Sequence, residues 1–308
     1  MIYTVTLNPA LDYFMDFDQA ELGQVNRATE TRMLPGGKGI VESRMMSLLK
    51  VENTALGFLG GFPGKFIQDY LENIGSQSDF TPIAGTTRIN TKIKVNAQEE
   101  TSFDAAGPDL SDAEIQAFLS KFDKLKNDDI VVFAGTIPKI LGEDFYEVLI
   151  EKVKARGAQF AIDVDGQKLL KTLKHEPLII KPNREELEEI YSVKFEVKED
   201  IIPYGQKLLA EGAQNVMISM AGDGALLFTG KETYFAAPIK GELKNSIGAG
   251  DSTVAGFLAE WSRSQDTLAA FKQGVACGTA KVFSEDMPSE SFLKECFEKV
   301  TIEKINED

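Results

Sequence analysis

Four short apolar runs, each ending at turn-forming residues, constrain the fold of this chain more than any other feature. They are "DIVVFAG" (129–135), "QFAIDV" (159–164), "LIIKPN" (178–183) and "NVMISMAG" (215–222). Runs this short, with little polar alternation, suit strands buried on both faces. Between them lie longer amphipathic stretches such as "EDFYEVLIEKVKARG" (143–157), which Gly157 closes as a helix stop. Apolar strands spaced by helices make βαβ units, so the expected class is α/β with a mostly parallel central sheet covered on both faces. Ligands in such sheets sit beyond the carboxyl ends of the strands. Those ends are Gly135, Asp163, Lys181-Pro182-Asn183 and Ser219 to Gly224.

Two segments break the rhythm. Residues 11–34 and 87–107 alternate like exposed strands, with Ile89, Ile93 and Val95 spaced by polar residues. "NAQE" (96–99) is placed as a hairpin turn. The two segments read as a small separate β-sheet that projects from the α/β body as a lid. The acidic end "EKINED" (303–308) reads as a solvated tail.

Bulk properties remove several function classes. With 33 basic against 48 acidic residues, the net charge is −15. That disfavours nucleic acid or an anionic membrane as a partner, but leaves room for a local basic pocket. Two cysteines, Cys277 and Cys296, make no disulfide framework, and the single His175 cannot join a histidine-rich metal site. The N-terminus shows no secretory pattern, and no apolar run reaches the ~18 residues of a membrane span. A soluble, cytoplasmic protein is expected.

The chemistry concentrates in "NSIGAGDSTVAGF" (245–257). Val254, Phe257, Leu258 and Trp261 recur at helical spacing, so a glycine turn opens a helix with Asp251 in its first turn. The backbone N–H groups of Gly248, Ala249 and Gly250, with the positive end of the helix dipole behind them, suit an anion whose charge grows during reaction. A carboxylate at the same turn can take a proton from a hydroxyl nucleophile. Together these parts describe phosphoryl transfer from a nucleotide to an alcohol; on local sequence alone, Asp251 also reads as a plain helix cap.

Other loops add to this. "LPGGKGI" (34–40) places Gly36, Gly37 and Gly39 around Lys38, where a substrate could approach the backbone, as it could in any glycine turn. "SMAGDGALLF" (219–228) sets Ser219, Gly222 and Gly224 after a buried strand, which suits a phosphate or a simple hairpin. In "KPNREE" (181–186), Lys181 could meet a nucleotide phosphate, while Asn183 and Glu186 could order a hydrated magnesium ion. The same residues also read as a helix start rich in acids. Arg27, Arg88 and Lys38 are candidate cations for a sugar phosphate, and Asp12 a candidate acceptor for sugar hydroxyls. "GGFPGKF" (60–66) is not a P-loop: Leu59 stands where its first glycine belongs and Phe66 where its hydroxyl belongs.

Taken together, "LPGGKG", "NSIGAGDSTVAGF" and the Asn-x-x-Glu element at Asn183 and Glu186 resemble the ribokinase-like, or PfkB, family of carbohydrate kinases, over the whole chain. "TVTLNPALD", "TRIN" and "SMAGDGALLF" look most like its 1-phosphofructokinase subgroup, with tagatose-6-phosphate kinases next. The resemblance implies a single ribokinase-like domain over 1–308: a three-layer α/β/α sandwich with a small β-sheet lid that often mediates homodimers. It implies Asp251 as catalytic base and Gly248, Ala249 and Gly250 as the anion hole. ATP would lie along Lys181, Asn183, Ser219, Gly222 and Gly224, with Mg2+ held through water by Asn183 and Glu186. The phosphosugar would meet Asp12, Gly36, Gly37, Lys38, Arg88 and Asn90, with Arg27 as a further candidate. The implied reaction phosphorylates fructose 1-phosphate at its C6 hydroxyl.

One departure bears on the sugar. Val41 and Glu42 stand where the family usually has Asn and an apolar residue. Valine cannot make the expected hydrogen bond, and an unpaired polar group costs about 1–3 kcal/mol. The alternatives are therefore a tagatose-6-phosphate kinase or another phosphosugar kinase, and a non-catalytic regulator that binds sugar phosphate or nucleotide.

Overall fold

The run Ile130–Ala134 is buried at every position. It pairs in parallel with Ile2–Thr6 on one side and Gln159–Asp163 on the other. Ile2–Thr6 pairs onward with Asn53–Leu59, which takes the short strands Gln77–Ser78 and Thr81–Pro82, again all in parallel. The protein is known from a computed structural model, which describes residues 1–96, 100–164, 166–230 and 232–305.

"LIIKPN" is buried as expected but is not a regular strand. It forms isolated bridges, Ile180 to Ile162 and Val216, and Asn183 to Ser219. Pro182 has no N–H for a ladder, so pairing survives only around it. Through Ile180 the parallel part still continues into an antiparallel series: Asn215–Ser219, Ala225–Thr229, Glu232–Ala236 and Ile302–Ile305. The tail expectation is corrected here. Ile302–Ile305 pairs with Glu232–Ala236, its two isoleucines flanking Glu303 and Lys304, whereas 306–308 lie outside the described residues.

Side chains of each strand alternate between the two faces. Val131 and Phe133 point into one core with Phe118, Leu149 and Leu208, which come from helices Asp112–Lys121, Phe145–Ala155 and Ile202–Ala210. Ile130 and Val132 point into the other with Met45, Phe257 and Phe271, from helices Lys38–Leu48, Ala249–Ser264 and Thr267–Val282. The result is the expected helix–sheet–helix sandwich. On the second face, two helices approach unusually closely. A Cβ at Gly256 would lie 2.6 Å from Cys277 Sγ, and one at Gly278 would lie 2.1 Å from Thr253 Oγ1. This contact carries the end of Thr267–Val282 toward the start of Ala249–Ser264.

The second sheet has the order Glu30–Gly36, Ala10–Phe17, Arg88–Val95, Thr101–Phe103. Ala10–Phe17 runs parallel to Arg88–Val95 and antiparallel to Glu30–Gly36. Within 11–34 the stretch 18–29 is not strand, so the expected segment is two strands joined by an exposed loop. Of the expected turn at 96–99, Asn96 has a left-handed φ of 52°, and 97–99 lie outside the described residues.

Candidate active site

Helix Lys38–Leu48 starts straight out of Gly36-Gly37, with Gly37 as N-cap at φ 118° and no side-chain cap. That φ excludes side chains in practice, and Gly36 is excluded by space: a Cβ there would lie 2.2 Å from Asp12 Oδ2. Asp12 stands on the neighbouring strand, and its Oδ1 accepts a hydrogen bond from Asn90 Nδ2 at 3.0 Å. Asn90 Oδ1 in turn accepts from the Ala105 N–H at 3.2 Å. Arg88 donates to the carbonyls of Asn8 and Ala105 at 2.9 and 3.1 Å. Burial pushes the Asp12 carboxyl up, against the opposing pull of Lys92 and the Asn90 hydrogen bond. These residues form one wall of a cleft of about 370 Å³.

The opposite wall is the turn before helix Ala249–Ser264. Gly248 is its N-cap at φ 76°, again without a side-chain cap, and Asp251 is the acid of its first turn. The Ala249 N–H donates to the Ser246 carbonyl at 3.1 Å, so this one of the three expected anion donors is engaged within the turn. Among the described residues the Gly248 and Gly250 N–H groups have no acceptor. The turn is anchored from behind: the Lys244 and Asn245 N–H groups both donate to the Val282 carbonyl, and Asn245 Nδ2 donates to that of Glu285.

Behind the cleft lining, against Lys38, lies Asp163, only 2% exposed. Its Oδ1 is 3.3 Å from Lys38 Nζ and 3.8 Å from Lys181 Nζ. Burial alone would raise this carboxyl, but the two ammoniums outweigh it and hold it below the usual range. Val41 lines the cleft, its Cγ1 3.0 Å from where a Cβ on Gly248 would stand. Glu42 does not line the cleft and is fully buried, with neither carboxylate oxygen hydrogen-bonded among the described residues. Burial pushes it well above the usual carboxylate range, reinforced by Asp163 and Asp251 and opposed by Lys38 and Lys181.

Asp12, Gly36, Gly37, Lys38, Arg88, Asn90, Gly248 and Asp251 thus converge on one cleft. Lys181 adjoins it from below, its Nζ 2.9 Å from where a Cβ on Gly250 would stand. Asn183 and Ser219 are bridged to each other, and Gly222 and Gly224 follow in the 219–225 hairpin turn. Asn183 and Glu186 form a reciprocal capping box, with bonds of 2.7 and 2.9 Å, at the start of helix Arg184–Tyr191. Arg27 is not brought to the cleft: it lies in the exposed 18–29 loop, which no strand pairing draws inward.

Sequence reasoning missed Lys92, Arg44, Asp286 and Lys281, which all line the cleft. Lys92 was legible, since Arg88, Asn90 and Lys92 share one face of a strand at period two. Its ammonium reaches Ser102 Oγ at 2.6 Å and Asp104 Oδ1 at 3.2 Å. Arg44, nearly buried, donates to Asp286 Oδ2 at 2.5 Å and Tyr70 Oη at 2.8 Å. Lys281 also carried a signal: it falls four residues after Cys277, on the buried face of its helix.

Chemically, the cleft can hold an anion against Gly248 and Gly250 beside a carboxylate, with hydroxyl-binding groups opposite. A profile of the pfkB family of carbohydrate kinases matches residues 5–289. A Bacillus subtilis (strain 168) 1-phosphofructokinase is 43% identical over 99% of this chain and 100% of its own length. A Bacillus licheniformis D-tagatose-1-phosphate kinase is 33% identical over 98% of this chain and 99% of its own. A Staphylococcus aureus crystal structure superposes with TM-score 0.88 at 38% identity, covering 100% of both chains.

Proposed function

The chain belongs to the pfkB family of carbohydrate kinases, and from that premise and the cleft we propose that it phosphorylates fructose 1-phosphate with ATP, giving fructose 1,6-bisphosphate. The observation that carries this reading is the placement of Asp251 beside the Gly248 and Gly250 N–H groups, facing the Asp12–Asn90 pair across one cleft. The substrate assignment follows the B. subtilis relative.

In this reading the sugar's C6 oxygen attacks the γ-phosphorus of ATP, the bond to the ADP oxygen breaks, and the hydroxyl proton passes to Asp251. The Gly248 and Gly250 N–H groups and the helix dipole stabilise the charge on the transferring group. Asp12 and Asn90 orient the sugar hydroxyls, and the backbone at Gly36 and Gly37 lets the sugar approach. Lys38 and Arg88 hold its phosphate. ATP extends along Lys181, Asn183, Ser219, Gly222 and Gly224. The Asn183–Glu186 pair offers one carboxylate and one amide oxygen, a donor set that fits a hydrated Mg2+ through water better than direct chelation. When bound, such an ion neutralises charge on the β- and γ-phosphates.

The whole chain acts here as one kinase domain, with segments 11–34 and 87–107 as its lid. Large exposed apolar side chains on those segments, Leu22, Val25, Met33 and Phe103, support a homodimer joined through the lid. A cytoplasmic setting is supported by both cysteines being free. Among the described residues, no helix is long and apolar enough to cross a membrane.

A second reading, a tagatose phosphate as acceptor, is favoured by Val41, which puts an apolar group where the sugar lies, and by the B. licheniformis relative. ADP release from Mg-ATP decides between them, comparing fructose 1-phosphate, tagatose 1-phosphate, tagatose 6-phosphate, fructose 6-phosphate and no sugar. Fructose 1-phosphate is expected to give the highest kcat/KM. Preference for a tagatose phosphate would shift the assignment to the second reading, and silence with every sugar would leave the regulator.

A further inference from the structure

Among the described residues, Lys281 is a lysine whose ammonium is buried without any hydrogen-bond partner, in a residue only 4% exposed. Burying an ammonium without a partner is unfavourable, a cost that an apolar residue at the end of Thr267–Val282 would avoid. The acids that face it are already committed or shared. Asp286 holds Arg44 at 2.5 Å, and Asp251 belongs to the glycine turn. Burial pulls the Lys281 ammonium below the usual lysine range, with Arg44 adding to that pull and Asp286 and Asp251 opposing it.

Its position says what it lacks. Lys281 lines the cleft, and its Cε lies 3.8 Å from where a Cβ on Gly248 would stand. It therefore adjoins the N–H group that an anion would use. Val41 packs against the same point and makes this corner apolar, which strengthens any charge contact formed there. In the kinase reading the sugar's own phosphate is held from the opposite wall, by Lys38 and Arg88. An ammonium carries three donors and no acceptor, so what it lacks is an acceptor, and an incoming oxygen with negative charge would serve it best.

We propose that Lys281 is a further substrate-contacting residue, whose ammonium takes an oxygen of the phosphoryl group while that group passes from ATP to the sugar. Lys281 stays protonated throughout, and the hydroxyl proton still goes to Asp251. The inference rests on the kinase reading above and adds to it a cation supplied from the C-terminal helix pair.

The test is a side-by-side comparison of wild type and Lys281→Met, measuring kcat, both KM values and the binding of ADP with aluminium fluoride, a mimic of the transferring group, in the presence of Mg2+ and the sugar accepted by the wild type. Removing one preorganised donor to transition-state charge costs about 10²–10³ in kcat. The expected result is a kcat loss of that size with both KM values within about threefold of wild type. Binding of the aluminium fluoride complex should weaken in parallel while ADP alone binds unchanged. Wild-type kcat in the variant, or a higher sugar KM with kcat unchanged, would overturn the inference. So would undiminished binding of the aluminium fluoride complex. If circular dichroism shows Lys281→Met unfolded, the same measurements on Lys281→Gln decide. A wild type silent with every phosphosugar would instead overturn the kinase reading and this inference with it.

Discussion

Two helices begin at this cleft, each from a left-handed or strained glycine and each without a side-chain cap: Lys38–Leu48 behind Gly37 and Ala249–Ser264 behind Gly248. Their first turns differ in sign. One offers Lys38 and no acid, the other Asp251. A helix N-terminus favours negative charge, so Asp251 is at home there, whereas Lys38 works against the dipole. The structure resolves that conflict with the Asp163 carboxylate 3.3 Å from the Lys38 ammonium. One start is thus satisfied by its own chemistry, and the other depends on an anion brought to it. A carboxylate placed stably can serve as a base; a cation placed at a cost can serve an incoming phosphate.

The strongest challenge to this contrast is Asp251→Asn, which leaves the shape of the turn and removes the base. General-base catalysis contributes about 10²–10⁴-fold, so kcat should fall by that factor while ATP titrated by calorimetry binds nearly as before. Retained turnover would remove Asp251 as the base. Gly248→Ala should have a smaller effect. A left-handed φ costs an L-residue about 1–2 kcal/mol, and the new Cβ would press on Val41, 3.0 Å away. About a tenfold drop in kcat is expected, and an unchanged rate would show that the turn's geometry is not used.

Glu42→Gln tests the first helix by stability alone. The folded-state pKa of Glu42 is raised, so the unfolded chain ionises first, near the usual 4.5, while the folded carboxyl stays neutral. Wild type therefore has its full share of stability below that pH and loses it as pH rises toward the folded value. The melting temperature of Glu42→Gln should match wild type at pH 4 and exceed it increasingly toward neutrality. A difference that does not change with pH would mean that Glu42 does not carry this proton.

The contrast also separates what the sequence revealed from what it concealed. The placement of Asp251 in the first turn of a helix opened by glycine was readable because turn, helix pattern and acid are contiguous in "GAGDSTVAGF". So was the Asp12 side, since strand alternation fixes which residues share a face. Lys281 and Asp286 were not found, because they join the cleft only through the close packing of two glycine-bearing helices, a tertiary fact. Glu42 showed as an odd residue in a motif, but only packing reveals that it is fully buried outside the cleft lining while Val41 lines it. Arg27 failed for the opposite reason: its residue type fits the chemistry, but the 18–29 loop carries it elsewhere.

Asp163 has a consequence for how two ligands sense each other. One oxygen lies 3.3 Å from Lys38 and 3.8 Å from Lys181, ammoniums that face opposite substrates in the proposed reaction. A phosphate that drew Lys38 away would leave Lys181 as the nearer ammonium beside the carboxylate and tighten that pair. The nucleotide would then have to overcome a stronger hold on its own lysine. By thermodynamic linkage the same penalty would run in reverse, so in the proposed reaction one buried oxygen would set donor and acceptor binding against each other without any backbone movement.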